Sequence, residues 1–406
     1  MKFVDIFYVF ANFISIYLSL VWFIVYFNNK DKFLRKPKIK NLPSVTFLVP
    51  AFNEEKNIAR CLKSLIDIDY PKNKKKIIVI NDGSTDRTSE IVKMFKKFKV
   101  RLIEKKNEGK AVALNYAMKF VNTDLVSCID ADSFVERDFL KKTTGYFKSM
   151  KVGAVTSAIK VDRTDTLMEK IQWVEYIISI ILRKLFSVLG CQFVVSGAGG
   201  IYRTEVLKKV GLFKISSITE DTEIGLRLRS RGYDIENCID SYVYTSSPKS
   251  FKSLFNQRMR WYRGYIENIK EYLFLINPKY GDLGVFFIPV SIMSISLVVI
   301  LFLLVVGTTI YDSLYSIFSW SLINNQIIIP SLSIDIFQIS FLSLLNFLAL
   351  ATSITLIFMG IRLSKVKFIK RKFLYIGLYF LIYPFLLPFL WLSVFILELR
   401  KADKKW

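Results

Sequence analysis

Long apolar runs lie near both ends of the chain, and a mixed pattern fills the space between them. Residues 6–29 contain no charged side chain, and neither do 283–311, 336–361 and 373–397. Each run is long enough to cross a bilayer as a helix. Residues 313–334 are also uncharged, but Asn324, Asn325, Gln326 and Pro330 make them a poorer span. A cleaved signal peptide fits the first run badly, because the run is too long and no small-residue cleavage site precedes the basic stretch after it. That stretch holds Lys30, Lys32, Arg35, Lys36, Lys38 and Lys40, which place its side of the membrane in the cytosol. The loop with Arg362, Lys365, Lys367, Lys370, Arg371 and Lys372 is cytosolic by the same rule. The expectation is one N-terminal span within 1–29 and three spans within 283–397. The basic tail (Arg400, Lys401, Lys404, Lys405) would then lie outside, unless the last segment re-enters, bent at Pro384 and Pro388.

Between about 42 and 250 short apolar runs alternate with amphipathic stretches. Val45–Val49, Ile77–Ile80, Val100–Ile103 and Leu125–Ile129 read as buried strands. Helices are predicted over Glu55–Ile66, around Ile91, Val92 and Phe95 with Ser84 or Asp86 as cap, and from Gly109 onward. Strands alternating with helices predict an α/β domain with a mostly parallel sheet, which binds ligands at the carboxyl ends of its strands. Asn53–Glu54, Asp82 and Asp130–Asp132 each fall just after a strand. Two amphipathic segments, Leu167–Leu189 and Phe251–Leu275, are expected to lie at the cytosolic membrane surface. The domain is therefore bounded at 42–250, with an interface helix over 251–277.

Composition sharpens this picture. Lys and Arg number 58 against 34 Asp and Glu, a net charge of +24, and such a balance seeks anionic partners. Apolar spans and a mean hydropathy of +0.35 favour lipid headgroups and a pyrophosphate-bearing substrate over nucleic acid. The four cysteines, Cys61, Cys128, Cys191 and Cys238, are far apart and form neither a zinc pattern nor a disulfide framework. The absence of histidine makes a carboxylate the expected general base, and carboxylate ligands favour Mg²⁺ or Mn²⁺.

Several short motifs carry candidate chemistry. In Asp130-Ala131-Asp132, two carboxylates at a strand end can face one divalent cation, which would neutralise a leaving diphosphate. Asp82, in Asn81-Asp82-Gly83-Ser84-Thr85-Asp86, can accept a hydrogen bond from a nucleobase or serve only as a turn residue. Lys110 follows Gly109 at a helix start, a natural phosphate position. Ser196-Gly197-Ala198-Gly199-Gly200 permits close backbone approach to a ligand. Thr219-Glu220-Asp221 opens a helix, with Thr219 a candidate cap and Asp221 a candidate base. In Gln257-Arg258-Met259-Arg260-Trp261, Arg260 can pair with a diphosphate and Trp261 can stack on a sugar ring.

Taken in order, Val49–Glu55, NDGSTD at 81–86, the run at 107–115, DADS at 130–133, TED at 219–221 and QRMRW at 257–261 resemble the inverting family 2 glycosyltransferases. The TED and QxxRW pair resembles the processive branch, which includes cellulose, chitin, hyaluronan and poly-N-acetylglucosamine synthases. The resemblance spans about 44–264 and implies a GT-A fold, a UDP-sugar donor, and a polysaccharide product passed across the membrane, with an accessory export subunit as a candidate partner. It implies that Ala51, Glu54 and Asp82 line the uridine site and that Lys110 approaches the diphosphate. Asp132, with Asp130, would hold the metal. Asp221 would be the base, Gln257 and Arg260 would hold the donor, and Ser196, Gly197, Glu220 and Trp261 would meet the acceptor. The cellulose-type gating loop has no clear counterpart after Trp261. Two other readings stay open: transfer of one sugar to a lipid, giving a glycolipid, and a transporter or channel with a nucleotide-binding domain.

Overall fold

The computed structural model describes residues 3–37, 39, 41–322, 341–366 and 370–400. Residues 323–334 of the weaker apolar run, the first part of the run 336–361, Lys38, Lys40, Lys367, Lys401, Lys404 and Lys405 lie outside them.

Eight strands form one sheet: β1 (Val45–Ala51), β2 (Lys75–Asp82), β3 (Val100–Lys105), β4 (Leu125–Cys128), β5 (Ser133–Val135), β6 (Val152–Val161), β7 (Gly200–Arg203) and β8 (Asp234–Thr245). Their spatial order is β3-β2-β1-β4-β7-β6-β8-β5. The half β3-β2-β1-β4 is parallel throughout, with Val45 opposite Lys75 and Leu125. The other half is mixed: β7 is antiparallel to β4 and β6, β8 runs parallel to β6, and β5 is antiparallel to β8. Central β1 alternates its side chains between two cores. Phe47 and Val49 pack with helix Ile58–Ile66 on one face, while Leu48 packs with helix Lys110–Met118 on the other. Each such side chain contributes roughly 1.5–3 kcal/mol by leaving water. The first helix starts at Ile58 rather than Glu55, because the peptide N–H of Asn57 donates to the Glu54 carbonyl in a preceding turn.

Among the described residues, four helices are long and apolar enough to cross a membrane: Ile6–Asn28, Leu283–Phe318, Ser343–Leu363 and Arg371–Leu399. Residues 313–322, assigned to a separate weak run, continue the helix Ile288–Leu322. The last helix contains Pro384 and Pro388 and runs without interruption over Arg371–Leu399. The backbone bonds these prolines forgo are offset by packing, since Leu386 and Leu390 bury against Leu254 and Met259.

The two amphipathic segments join the α/β domain to these helices. Helix Leu167–Val188 opens with a capping box in which Thr166 Oγ1 accepts from the Glu169 N–H at 3.3 Å. It buries Trp173, Ile177 and Ile181 against Ile357, Ile361 and Ile376. Gly360 lets the helices close up, since a Cβ there would lie 2.8 Å from the Ile177 carbonyl oxygen. In helix Phe251–Glu271, Tyr262 stacks on Trp391 with centroids 4.3 Å apart, and Arg263 Nε donates to Glu398 at 2.7 Å.

The helix Glu220–Ser230 meets the loop before β7 at Gly225, where an added Cβ would sit 1.5 Å from the Phe193 carbonyl oxygen. Backbone on both sides cannot yield cheaply. Gly225→Ala should destabilise the protein by at least about 3 kcal/mol, read as a lowered melting temperature of the detergent-solubilised protein.

Candidate active site

The loops after β1 and β2 are tied to each other. Asn53 adopts a left-handed backbone (φ 55°), which a short polar side chain tolerates. Its Oδ1 accepts from the Thr85 N–H at 2.9 Å, and its own N–H donates to Ser84 Oγ at 2.9 Å. Arg87, not Asp86, occupies the cap position of helix Thr88–Lys93; Asp86 stands one residue earlier, where Oδ1 accepts from the Thr88 N–H and Oδ2 from the Glu55 N–H, both at 3.0 Å. Ser84, the other candidate, turns to Asn53 instead. Ala51 is buried at the end of β1.

Asp82 is 5% exposed, and its oxygens already serve the chain. Oδ1 accepts from Lys105 Nζ at 2.6 Å and from the Glu108 N–H at 3.2 Å, and Oδ2 accepts from the Gly109 N–H at 2.8 Å. A carboxylate has about four acceptor positions, so about one remains for a ligand. Asp82 thereby fixes the turn that launches helix Lys110–Met118.

Lys110, the first residue of that helix, reaches two carboxylates, Asp130 after β4 and Glu220 at the start of helix Glu220–Ser230. Its Nζ lies 2.7 Å from Asp130 Oδ1 and 3.0 Å from Glu220 Oε1. Burial disfavours the ammonium, but Asp130, Glu220 and Asp221 outweigh burial and hold its pKa well above the ordinary lysine value. The loop Ser196–Gly200 crosses directly over this pair. Gly199 N–H donates to the Cys128 carbonyl at 2.9 Å, and Gly197 N–H donates to Asp221 Oδ2 at 3.2 Å. A Cβ on Gly197 would approach Lys110 Nζ to 2.6 Å.

Asp221 is pushed above the usual carboxylate range, chiefly by burial and then by Glu220, against the opposing pull of Lys110 and the Gly197 N–H. Asp132 is pushed up to about 6 by burial and by Asp130, although the Ser133 hydroxyl donates to it at 2.9 Å. Glu54 is raised by burial, opposed by a hydrogen bond from Asn57, with Asp130 and Asp86 adding to the rise. Among the described residues, no three His, Cys, Asp or Glu side chains group into a closed metal cage. Asp130 and Asp132 nevertheless suit a hard cation that takes its other oxygens from phosphate and water, and the raised Asp132 marks negative charge still seeking a partner.

The QRMRW helix is locked to the helix bearing Asp221. Asn268 Nδ2 donates to Thr219 Oγ1 at 2.9 Å, so Thr219 holds its neighbour rather than capping its own helix. A Cβ on Gly264 would lie 2.5 Å from the same Thr219 oxygen. Gln257 Oε1 accepts from Arg258 at 3.0 Å, and Trp261 lies under the Arg258 guanidinium. Arg260 is exposed and makes no ion pair with any described residue, so the structure gives it no protein partner in the cluster. Glu54, Lys110, Asp130, Asp132, Ser196, Gly197, Glu220 and Asp221 are brought together.

Sequence reasoning passed over three residues. Arg183, on the interface helix, donates to Ser196 Oγ, and burial lowers its pKa while Tyr176 and Asp221 oppose. Glu175 and Arg258 pair beside the motif. The available signal was a charge inside an otherwise apolar helix face.

The pattern of the family described as "Glycosyltransferase like family 2" matches residues 43–264. The chain belongs to this glycosyltransferase family. It is 33% identical over 269 residues to a poly-beta-1,6-N-acetyl-D-glucosamine synthase of Staphylococcus epidermidis, covering 63% of this chain and 64% of that protein. A synthase of the same description from Staphylococcus aureus (strain COL) is 30% identical over 270 residues, covering 64% of this chain and 65% of the relative. The transferase thus spans just under two thirds of the curated relatives it matches. A mannosyltransferase from Pyrobaculum calidifontis, solved with GDP-Man and Mn²⁺, superposes with a TM-score of 0.52 at 23% identity, over 65% of this chain and 76% of that one. That likeness shows the fold, a GT-A-like mixed sheet.

The close passage of Gly197 over Lys110 yields a test within the transferase. Gly197→Ala meets the end of a flexible side chain rather than backbone, so the protein should still fold, with a melting temperature lowered by the weakened Lys110 pairing. The lost charge-assisted contact is worth about 1.5–3 kcal/mol, so transfer should fall roughly ten- to a hundredfold.

Proposed function

We propose that this chain is a membrane-bound, inverting synthase that transfers N-acetylglucosamine from UDP-N-acetylglucosamine to a growing β-linked polysaccharide on the cytosolic side. The observation that carries this reading is the half-buried Asp221 at the start of helix Glu220–Ser230, held by the Gly197 N–H beside Lys110, Asp130 and Glu220 in a family 2 domain. The relatives named poly-beta-1,6-N-acetyl-D-glucosamine synthases support the sugar and the product class. The apolar helices on either side of the domain support the membrane placement.

In this mechanism Asp221 takes the proton from an acceptor hydroxyl. That oxygen bonds to the anomeric carbon from the face opposite the diphosphate as the bond to the diphosphate breaks, so an α-linked donor gives a β-linked product. A raised pKa suits a carboxylate that must accept a proton near neutral pH. Lys110 stands at the helix start to meet the diphosphate, and Arg260, free of protein partners among the described residues, reaches for it from the QRMRW helix. Ala51, Glu54 and Asp82 flank the nucleoside, and Gln257 orients the donor. Ser196, Gly197, Glu220 and Trp261 receive the acceptor. Asp130 and Asp132 would hold Mg²⁺ or Mn²⁺, which supplies charge neutralisation for the departing diphosphate.

Membranes containing the chain, given labelled UDP-sugars with Mn²⁺, should yield a polymer ladder from UDP-N-acetylglucosamine. A single labelled glycolipid would refute synthesis. Asp221→Asn should bind UDP as the parent does and lose transfer by at least about a thousandfold. In the parent, transfer should be lost as pH falls through the raised Asp221 pKa, at a higher pH than a free carboxyl near 3.8 would give.

Asp132 makes a separate prediction. Its folded pKa of about 6 exceeds the 3.8 of an ordinary aspartate, so its stabilising contribution is full below the lower value and is lost as pH rises through about 6. A cation competes with that proton. Mn²⁺ should therefore raise the melting temperature at about pH 7.5 and much less at about pH 5. Asp132→Asn should be more stable than the parent without metal at the higher pH and should lose most of the Mn²⁺ increment.

A further inference from the structure

The motif residues with proposed roles are Gln257, Arg260 and Trp261, yet the side chain built deepest into the protein here is Arg258. It is 1% exposed, while Arg260 on the same helix is open. Its guanidinium makes three directed contacts. Nη2 donates to Glu175 Oε2 at 2.8 Å, Nη1 donates to Gln257 Oε1 at 3.0 Å, and the guanidinium carbon lies 4.2 Å from the centre of the Trp261 ring. The spacing 258 to 261 is one helical turn, so cation and ring share a face. Tyr176, Tyr262 and Tyr383 stand close enough to feel the charge, and Tyr176 also feels Asp132. Glu175 belongs to helix Leu167–Val188, the same helix whose Arg183 bonds Ser196.

A buried ion pair is a poor way to gain stability, since apolar side chains of similar volume serve as well or better. A hydrophobic pair could not aim a carboxamide oxygen or hold an indole ring at a fixed tilt. A lysine would replace the planar fork with a point charge. We propose that the Glu175–Arg258 pair is a positioning strut for the acceptor end of the site: it fixes Gln257 and Trp261 against the interface helix and so sets how long a growing chain is held. Arg258 touches neither donor nor acceptor in this arrangement; it acts through its two neighbours. The part concerning chain length rests on the synthase reading above, and the part concerning Trp261 does not.

The test compares Arg258→Lys, Glu175→Gln and the double variant Glu175→Gln/Arg258→Gln with the full-length parent in detergent. Six tryptophans contribute to the near-UV circular dichroism, so the Trp261 band is isolated by subtracting the spectrum of Trp261→Phe. The expected result is loss of that band in every folded variant. Products should be severalfold shorter, with the acceptor KM raised about tenfold through Trp261 and the donor KM raised as well through the freed Gln257. The double variant leaves no buried unpaired charge, so its melting temperature should recover while its products stay short. A merely structural pair would instead restore length with stability. Arg258→Lys keeps the charge and provides a folded case should the double variant fail to fold. In the Trp261→Phe background Arg258→Lys should shorten products no further. A retained Trp261 band, or parental length in either variant, would overturn the strut. A parent that makes no polymer would overturn the synthase reading, and the Trp261 band would still decide the strut.

Discussion

The Lys110 ammonium, placed between Asp130 and Glu220, is the contact on which the rest of the cleft depends. Each of these groups would be costly to bury alone. Asp130, Glu220 and Asp221 come from the end of a strand and the start of a helix about 90 residues further on, and like charges so placed repel. One cation at the start of a third element makes their approach favourable. The glycine at 197 then lets a backbone N–H, rather than a side chain, close over the group and reach Asp221. The balance is incomplete on the side of Asp132 and Glu54, whose raised carboxyls favour a further positive charge there.

The cleft is held to the membrane helices by contacts of a different kind. Thr219 anchors Asn268 and faces Gly264, so the helix carrying Asp221 cannot shift without the QRMRW helix. That helix in turn stacks Tyr262 on Trp391 and pairs Arg263 with Glu398. Helix Leu167–Val188 buries its apolar face against Ile357, Ile361 and Ile376. The carboxylate cluster and the apolar helices are thereby joined through two packed helices rather than through a flexible tether.

Local chain chemistry reveals much of this. The strands β1 to β4 follow from apolar runs too short for helices and bounded by turn residues, and the polar residues after them fall where a parallel sheet puts its ligands. Helix ends were less legible, as at Ile58, where a preceding turn takes the backbone bonds a longer helix would use. The final helix was legible as the apolar run 373–397, but its continuity past two prolines was not. Proline marks a break by its missing N–H, and only the packing of Leu386 and Leu390 shows that the break is tolerated.

Residue types alone narrowed the candidate chemistry: with no histidine, a carboxylate is the candidate base, and the ordered motifs placed Asp221, Lys110 and the Asp130–Asp132 pair in one family pattern. The sequence determined the apolar spans as well, because length and hydropathy are local properties. Contacts between distant segments, by contrast, settle that Asp82 serves mainly the Lys110 turn, that Thr219 holds Asn268, that Arg260 is left exposed, and that Arg258, Glu175 and Arg183 are drawn in. These outcomes depend on which partners distant segments present to one another, and the energy of a buried polar group is set by those partners rather than by its neighbours along the chain.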